Sequence, residues 1–258
     1  MKKISVAIPT YNTSKFINEC ISPLLNIEFI DEIVISDDCS DPADYEKLNS
    51  IVESIKGKTK KNLILTRNKK NLGGLKNKYF AISNCKNDIV YQLDSDNIVK
   101  KNSLSYMNKI INTSFEDNTL YLPGCIYIFK QKRKLQNIFN YGLMRLVEED
   151  VVLDRESIKK NIVKSNLTLK EVSWILNLGN PIFHKETYLE FLKNANEDSK
   201  VYHACSIAMS YFWLTKGGNI KIISKMSHLH RIRPDSYYVE FQNEADQNVK
   251  YFVEKLSN

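Results

Sequence analysis

Short apolar runs alternate with amphipathic helical patterns along the first hundred residues. Each run has the length of a β-strand, and each pattern repeats apolar residues every three or four positions, as one face of a helix requires. Ser14 is the predicted cap of the first helix. The predicted strands comprise residues 4–8, 32–36, 62–66 and 89–93. Such alternation predicts an α/β fold with a mostly parallel central sheet flanked by helices, in which ligands bind at the carboxyl ends of the strands.

The second half continues with a strand, two helices and a final amphipathic segment. Residues 121–129 have strand character, and helices are predicted over residues 185–194 and 202–216, the latter ended by Gly217. Residues 238–256 carry an apolar stripe, which must pack against another apolar surface. Packing on its own domain is the default interpretation of this stripe, and a homodimer or contact with a membrane is the alternative.

Composition limits the class of protein. With 258 residues and 43% hydrophobic content, the chain can form one domain with one sizeable core. No stretch reaches the roughly twenty apolar residues of a membrane span, and the first strand begins without a signal-peptide core. The five cysteines lack the spacing of a metal or redox site, which favours a reducing cytoplasm.

The net charge of +7 comes from separate basic runs. Residues 130–134 form the densest of them, which suits peripheral contact with anionic lipid or with an anionic lipid-linked acceptor; a solvated loop is the simpler interpretation. Nucleic acid is not an expected partner. That function needs aromatic side chains interleaved with basic ones, whereas most aromatics here occupy apolar strand or helix positions.

Two carboxylates follow the fourth predicted strand, in the sequence Asp94-Ser95-Asp96. At the end of a strand, one acid can hold a divalent cation while the other reaches the sugar or ribose of a nucleotide. Alone the tripeptide is more typical of a turn, because Asp favours turns for local hydrogen bonding. Polar clusters at the other predicted strand ends favour the functional interpretation.

Four motifs in order resemble the family-2 glycosyltransferases, whose catalytic domain has the nucleotide-sugar-binding GT-A fold. These motifs are Ile-Pro-Thr-Tyr-Asn at residues 8–12, Asp37-Asp38-x-Ser40, Asn71-x-Gly73 with Lys76-Asn77, and Asp94-Ser95-Asp96. The likeness fades after residue 100 and returns at Gly217-Gly218 and residues 227–236. The resemblance implies a single domain over residues 1–258. Within it, residues 1–100 would bind the nucleotide sugar, residues 101–225 the acceptor, and residues 226–258 would form a closing loop and C-terminal helix.

The resemblance also implies roles for single residues on the donor side. The residues that would line the nucleotide-sugar pocket are Pro9, Thr10, Tyr11, Asn12, Asp38, Gly73, Lys76, Asp94 and Ser95. Asp38 would accept a hydrogen bond from a pyrimidine ring, and Asp94 would contact the ribose. The structural alternatives are that Thr10 merely finishes a strand, that Asp38 caps a helix and that Lys76 is a solvated lysine.

A divalent cation is expected beside the diphosphate. Asp96 would ligate Mn²⁺ or Mg²⁺, because oxygen ligands suit these cations. His228 and His230 share one face if their segment is extended, so either could add a ligand, which would favour Mn²⁺. A hydrogen-bonded surface or core histidine is the alternative. Arg231 and Arg233 alternate with the histidines and would clamp the diphosphate.

The catalytic base is where the chain departs from the family pattern. An inverting transfer needs a carboxylate near the acceptor hydroxyl, and the family usually supplies it from an acidic pair at the start of the helix before Gly217. The residue twelve positions earlier is Cys205, and its neighbours are not acidic either. Glu197 and Asp198 are the predicted catalytic pair instead. A solvated helix-entry pair, favoured by the helix dipole, is the alternative.

The sequence therefore predicts a metal-dependent, inverting glycosyltransferase of hexosyl or N-acetylhexosaminyl type. Its donor would be a nucleotide diphosphate sugar, with uracil preferred to guanine because an Asp acceptor and Tyr11 for stacking suit the pyrimidine imide. Its acceptor would be a glycan or lipid-linked glycan in the synthesis of a surface polysaccharide or glycoconjugate. Trp174 would stack on an acceptor sugar, or else belong to the core.

Two rival functions stay open at this point. A sugar nucleotidyltransferase would normally show a Gly-rich, Arg-containing phosphate loop after the first strand, where this chain has Pro9-Thr10-Tyr11-Asn12. A catalytically idle module would keep the nucleotide-sugar pocket and lack the base, as the residue at position 205 allows.

Overall fold

In the computed structural model, the described part of the chain forms a ten-stranded sheet with helices on both faces. It describes residues 1–130, 142–145, 147–156, 176, 179–195, 199–202, 204–233 and 242–257. The strands are β1 (Ile4–Thr10), β2 (Ile30–Asp37), β3 (Asn62–Arg67), β4 (Ile89–Gln92), β5 (Ile98–Val99), β6 (Thr119–Lys130), β7 (Gly142–Arg145), β8 (Val151–Leu153), β9 (Ile182–His184) and β10 (Asn219–Ile232). The helices are α1 (Ser14–Ile21), α2 (Pro42–Lys56), α3 (Gly74–Ser83), α4 (Lys101–Thr113), α5 (Lys185–Ala195), α6 (Ser199–Tyr202), α7 (Cys205–Thr215) and α8 (Gln242–Ser257).

The sheet has the order β3-β2-β1-β4-β9-β6-β10-β5, with β7 added beside β6 and β8 beside β10. Strands β3, β2, β1 and β4 are parallel neighbours. Strand β9 is antiparallel to both β4 and β6, so β6 and its parallel partner β10 run in the same direction as the first four strands. The predicted mixed α/β domain with a mostly parallel central sheet is therefore confirmed.

The core lies on both faces of this sheet, because successive strand residues point to opposite sides. One face collects Ala7, Val34 and Val90 under α3, α5, α7 and α8. The other collects alternate residues such as Val6 and Ile33 under α1, α2 and α4. Buried on both sides, the parallel strands read as continuous apolar runs, which is why the sequence pattern located them.

The C-terminal stripe packs on its own domain. Phe252, Val253 and Leu256 on α8 are each at most 5% exposed, and the ring of Phe252 lies 5.6 Å from that of Tyr211 on α7. The described part of the stripe therefore packs on its own domain, which was the default interpretation. None of the described helices has the length and apolar character needed to cross a membrane.

Two predicted boundaries were wrong in ways that matter for the site. Thr13, not Ser14, occupies the cap position of α1. Ser14 is the first helical residue, and its hydroxyl donates to Asp44 at the start of α2, 2.7 Å away. The helix predicted from residue 202 begins at Cys205, after the separate turn α6, so Cys205 stands at a helix N-terminus.

The pairing of β6 with β10 has an irregularity directly before the part of β10 that carries the histidines. The register shifts between Ile223 and Ser227, opposite the segment that contains Gly124. A Cβ atom on Gly124 would lie 2.8 Å from both the Ile223 carbonyl oxygen and the Ser224 Cα. Glycine is therefore required here by close contact with the backbone of β10, the strand that carries His228, His230 and Arg231.

We predict that Gly124→Ala lowers the free energy of unfolding by about 1–3 kcal/mol, because the added methyl group would overlap the backbone of β10 at Ile223 and Ser224. Gly57→Ala is the matched control. The nearest atom to a Cβ on Gly57 is 3.9 Å away, so its unfolding free energy should change by about 0.5 kcal/mol or less. Urea denaturation measures both. Equal stability of the two variants would contradict the close contact.

Candidate active site

Polar side chains converge where β1, β2 and β4 end. Thr10 is the last residue of β1, and its hydroxyl shares a hydrogen bond of 2.5 Å with that of Thr13. Thr13 in turn shares a hydrogen bond of 2.8 Å with the Ser95 hydroxyl. Ser95 belongs to residues 94–97, which we name the acidic turn and which joins β4 to β5. A buried chain of hydroxyls thus ties the end of β1 to the acidic turn.

Asn77, in α3, fixes this helix to two strand ends. Its Nδ2 donates to the Thr10 carbonyl at 3.2 Å and to the Ser36 carbonyl at 2.9 Å. The Ser36 hydroxyl donates to its Oδ1 at 2.7 Å. Asn77 is 2% exposed, so these bonds form away from water and hold one geometry.

Asp38 anchors the loop that leads into α3. Its Oδ1 accepts hydrogen bonds from Asn68 Nδ2 and Leu72 N, both at 2.9 Å, and its Oδ2 accepts one from Gly73 N at 2.8 Å. Gly73 has φ of +85°, a backbone geometry that glycine tolerates. An ionised carboxylate has about four acceptor sites, so Asp38 keeps one, on Oδ2. Asp41, not Asp38, occupies the N-cap position of α2, and it makes no side-chain cap bond.

Contacts with neighbouring residues of the protein surround the Asp37 carboxylate. It accepts hydrogen bonds from the backbone N–H and hydroxyl of Ser40, and its Oδ2 lies 3.3 Å from Arg67 Nε. The Arg67 guanidinium in turn stacks over the Tyr45 ring at 4.0 Å. Burial raises the pKa of Asp37, against these hydrogen bonds and the charge of Arg67.

Asp94 is held by three neighbours. Gln92 Nε2 donates to its Oδ1 at 2.8 Å, Asn97 Nδ2 donates to its Oδ2 at 3.3 Å, and its backbone N–H donates to Asn180 Oδ1 at 2.8 Å. A Cβ on Gly179 would lie 2.9 Å from Asp94 Oδ2. Asn180 has φ of +63°, and in the part of the chain that the structure describes its buried Nδ2 has no hydrogen-bond acceptor. Residues 179–180 therefore pack directly on the acidic turn.

Asp96 forms an ion pair with the end of β10. Its Oδ2 lies 2.8 Å from Arg233 Nε, and these side chains are only 16% and 12% exposed. Arg231 Nε donates to the Asp96 carbonyl at 3.2 Å, and Arg231 also pairs with Glu19 at 2.7 Å. Burial raises the pKa of Asp96, the charge of Asp94 adds to this, and Arg233 opposes it.

The two histidines lie on one side of β10, next to the acidic turn. Their ring centroids are 5.6 Å apart. His228 pairs with Val99 in β5, and neither of its buried ring nitrogens has a hydrogen-bond partner among the described residues. Burial, with a contribution from His230, lowers the pKa of His228 to about 3. His230 is close enough to Asp96 to lower that carboxyl's pKa.

Sequence reasoning missed a lysine beside the acidic turn. Lys78 Nζ, on α3, lies 3.1 Å from Cys205 Sγ at the start of α7. Burial opposes the charged form of Lys78, but the neighbouring Cys205, Asp94 and Tyr188 outweigh it and raise the pKa of Lys78. Cys205 is the residue twelve positions before Gly217, where the family pattern expects a carboxylate. That departure was the one hint in the sequence that this place is unusual. Nothing in the sequence pointed to Lys78, which is 127 residues away along the chain.

The remaining predicted residues lie around or outside this centre. Tyr11 is 46% exposed at the edge of the sheet. Asn12 has φ of +51° and joins two loops, donating its backbone N–H to Ser40 Oγ at 2.8 Å and accepting from Asp41 N at 2.9 Å. Pro9 pairs with Ser36 of β2. Lys76 is half-buried. The predicted residues Trp174, Glu197 and Asp198 lie outside the described residues.

The described residues form only part of a metal site. In the part of the chain that the structure describes, no three His, Cys, Asp or Glu side chains are grouped as a metal would need them. Asp96 and His230 are neighbours, and the imidazole nitrogens of His228 have no hydrogen-bond partner within the described ranges. The ligand types present therefore fit a divalent cation once Arg233 leaves the Asp96 carboxylate.

A sequence model described as glycosyl transferase family 2 matches residues 5–164. Poly(ribitol-phosphate) beta-N-acetylglucosaminyltransferase TarS of Staphylococcus aureus is 32% identical over 121 residues, which cover 45% of this chain and 20% of that protein. The chain thus spans about a fifth of the length of the curated relatives that it matches.

Solved structures share the fold. Residues 1–349 of S. aureus TarS in complex with UDP superpose with a TM-score of 0.60 at 20% identity, covering 99% of this chain and 69% of that one. GalNAc-T7 with UDP, GalNAc and Mn²⁺ gives a TM-score of 0.65 at 15% identity, covering 98% and 48%. At these identities the likeness establishes the fold.

We predict that Asp38→Asn destabilises the chain by about 2 kcal/mol, because an amide cannot accept all three hydrogen bonds and leaves a buried N–H unpaired. Amide hydrogen exchange at Leu72 and Gly73 should accelerate with it. The control is Asp41→Asn, because Asp41 makes no side-chain cap bond to α2. Unchanged exchange at the loop amides in Asp38→Asn would show that the carboxylate does not anchor the loop.

Proposed function

The chain belongs to glycosyl transferase family 2, and we propose that it transfers a sugar from a nucleoside diphosphate donor to a glycan or lipid-linked glycan, with inversion at the anomeric carbon. The observation that carries this proposal is the acidic turn at the carboxyl edge of the sheet, with Arg231 and Arg233 directly upon it. Such an edge is where open α/β sheets bind their ligands. Paired acids and arginines suit a diphosphate that arrives with a cation.

The nucleoside would bind over β1 and β2. The exposed ring of Tyr11 is placed to stack on the base, and the free acceptor site on Asp38 Oδ2 suits the imide N–H of uracil. Pro9, Thr10 and Asn12 would shape the floor of this pocket, and Gly73 and Lys76 its side. The titles of the TarS and GalNAc-T7 structures name UDP, which supports a uracil nucleotide here.

The diphosphate would lie between the acidic turn and the end of β10. Arg231 and Arg233 would bind its oxygens, and Asp94 and Ser95 would contact the ribose or the sugar. Asp96, with His228 or His230, would hold Mn²⁺ in preference to Mg²⁺, because imidazole ligands favour Mn²⁺. When bound, this cation stabilises the charge that develops on the leaving diphosphate. The GalNAc-T7 structure contains Mn²⁺, which supports the preference.

The acceptor hydroxyl must lose its proton to a base on the far side of the sugar. We propose Asp198 or Glu197 for this role, because a single carboxylate within hydrogen-bond reach supplies about two to four orders of magnitude in rate. Trp174 would stack on the acceptor sugar. An idle nucleotide-sugar-binding module is the second candidate function, favoured by a lysine-bound cysteine, Cys205, where the family pattern expects a carboxylate.

The cellular compartment and the acceptor are part of the same proposal. All five cysteines are free thiols, which supports a reducing compartment such as the cytoplasm. The relative TarS is named for an N-acetylglucosaminyl transfer to poly(ribitol-phosphate), so an N-acetylhexosaminyl or hexosyl transfer onto a surface glycan is the version that we propose. Peripheral contact with the membrane through the basic residues 130–134 would bring a lipid-linked acceptor within reach.

We predict that UDP binds more tightly than GDP and that Mn²⁺ is needed for either to bind well. Isothermal titration calorimetry with each nucleotide, with and without Mn²⁺, measures this. Asp96→Asn should reduce Mn²⁺-dependent UDP affinity by about tenfold or more, because it removes a charged ligand. Asp117→Asn, an exposed carboxylate before β6, is the control. GDP binding as tightly as UDP would refute the base assignment, and full affinity in excess chelator would refute the metal.

We predict that Asp198→Asn or Glu197→Gln lowers turnover by about two to four orders of magnitude while leaving donor affinity nearly unchanged. The measurement is single-turnover transfer to the acceptor, beside donor titration of the same variants. Normal rates in both variants would place the base elsewhere. Donor binding by the unmodified chain without transfer to any acceptor would favour the idle module.

A further inference from the structure

Two loops meet at the edge of the sheet where the nucleotide base would bind. The first loop follows β1 and carries Tyr11 and Asn12, and the second follows β2 and carries Ser40 and Asp41. Asn12 donates its backbone N–H to Ser40 Oγ at 2.8 Å, and its Oδ1 accepts a hydrogen bond from Asp41 N at 2.9 Å. These two bonds attach the loop that carries Tyr11 to the loop after β2.

Ser40 is itself held by Asp37, the last residue of β2. The Asp37 carboxylate accepts two hydrogen bonds from Ser40, one from its backbone N–H at 3.1 Å and one from its hydroxyl. The Ser40 hydroxyl thus donates to Asp37 while its oxygen accepts from Asn12. Ser40 is 1% exposed and Asp37 is fully buried, so these bonds form away from water and favour a single arrangement.

Arg67, the last residue of β3, lies beside Asp37 in the pairing of β2 with β3. Its Nη2 donates to the Ser40 carbonyl at 2.6 Å, and its Nε lies 3.3 Å from Asp37 Oδ2. Its guanidinium also stacks over the Tyr45 ring at 4.0 Å. A planar guanidinium is suited to make two such contacts and a stacking contact at once. Arg67 therefore fixes the loop after β2 and gives the buried Asp37 carboxylate a counter-charge.

The direction of the Tyr11 ring depends on this arrangement. Tyr11 is 46% exposed, and the next residue, Asn12, has φ of +51°. A positive φ at a residue other than glycine costs energy and persists where surrounding contacts hold it. The bonds of Asn12 with Ser40 and Asp41 are such contacts. The backbone that aims Tyr11 is thus held from the loop that Arg67 fixes.

We propose that Arg67 is a positioning residue for the nucleotide base, because it holds the loop after β2 and, through that loop, orients the Tyr11 ring. The inference rests on the proposed function, since it takes Tyr11 as the residue that stacks on uracil. It adds a determinant of base binding on β3 that acts through other residues of the protein.

The affinity test compares UDP with inorganic pyrophosphate, which has the diphosphate and lacks the nucleoside. Both are titrated by calorimetry in the presence of Mn²⁺. Arg67→Met keeps the length of the side chain and removes every donor. A stacked base contributes about five- to hundredfold in affinity, so this variant should weaken UDP binding at least about fivefold and change pyrophosphate binding by about twofold or less. Arg155→Met, which removes an exposed arginine charge after β8, is the matched control and should leave both affinities unchanged.

A double-mutant cycle tests whether the effect passes through Tyr11. In the Tyr11→Ala background, Arg67→Met should weaken UDP binding by about twofold or less, because the ring that Arg67 orients is gone. Losses that multiply would overturn the positioning role. An equal loss of pyrophosphate affinity, or UDP affinity retained in Arg67→Met, would overturn it as well.

A second variant covers the case in which Arg67→Met does not fold because Asp37 has lost its counter-charge. Arg67→Lys keeps the charge and loses the planar fork, so it should still weaken UDP binding at least about threefold. Unchanged UDP affinity in Arg67→Lys would show that the charge of residue 67 matters and its geometry does not, which contradicts the proposal.

Amide hydrogen exchange tests the structural step without any nucleotide. In Arg67→Met or Arg67→Lys, the Asn12 N–H should exchange at least about tenfold faster, because the hydrogen bond to Ser40 is weakened. The Asn97 N–H, bonded to the Asp94 carbonyl at 3.0 Å, is the control and should keep its rate. Acceleration at both amides, or at neither, contradicts the proposal. Absence of UDP binding to the unmodified chain contradicts the nucleotide-sugar function instead, and the exchange rates then decide whether Arg67 positions the Tyr11 loop.

Discussion

The buried amide of Asn77 is the interaction on which the candidate site depends. It donates to the carbonyls of Thr10 and Ser36, and so joins the ends of β1 and β2 to α3. Thr10 continues the chain of contacts through Thr13 to Ser95 in the acidic turn. Displacing this amide would leave buried polar groups unpaired, at about 1–3 kcal/mol for each group. The ends of three strands are therefore fixed relative to one another by bonds within the protein.

Strand β10 completes the site from the opposite side. Near the end of this strand, Arg231 donates to the Asp96 carbonyl, and directly after the strand Arg233 pairs with the Asp96 carboxylate. The ion pair gives each buried charge a partner. A cation and a diphosphate would take the same two places, the cation at Asp96 and the phosphate oxygens at the arginines. Nucleotide and metal binding are thus expected to replace the ion pair between Asp96 and Arg233. Contacts of Asp96 with the cation and of the arginines with the diphosphate would take its place.

The sequence predicted the strands and helices of the first hundred residues, because the local pattern of apolar and polar residues decides structure there. Strands buried on both faces read as apolar runs, and the polar clusters after them marked the edge of the sheet where Asp38 and Asp94 lie. It did not predict that Asp38 anchors a loop, nor that Lys78 meets Cys205, because these contacts join residues far apart along the chain. The cap at Ser14 was wrong because Asp44, from another helix, binds its hydroxyl. Periodicity carries no information about such tertiary partners.

We propose that the acidic turn and the end of β10 bind a metal-held nucleoside diphosphate. The decisive measurement is a crystal structure of the chain with UDP and Mn²⁺. We expect Mn²⁺ on the Asp96 carboxylate, the diphosphate on Arg231 and Arg233, and the uracil ring beside Tyr11. Nucleotide and metal bound elsewhere, with the pair between Asp96 and Arg233 still intact, would contradict it.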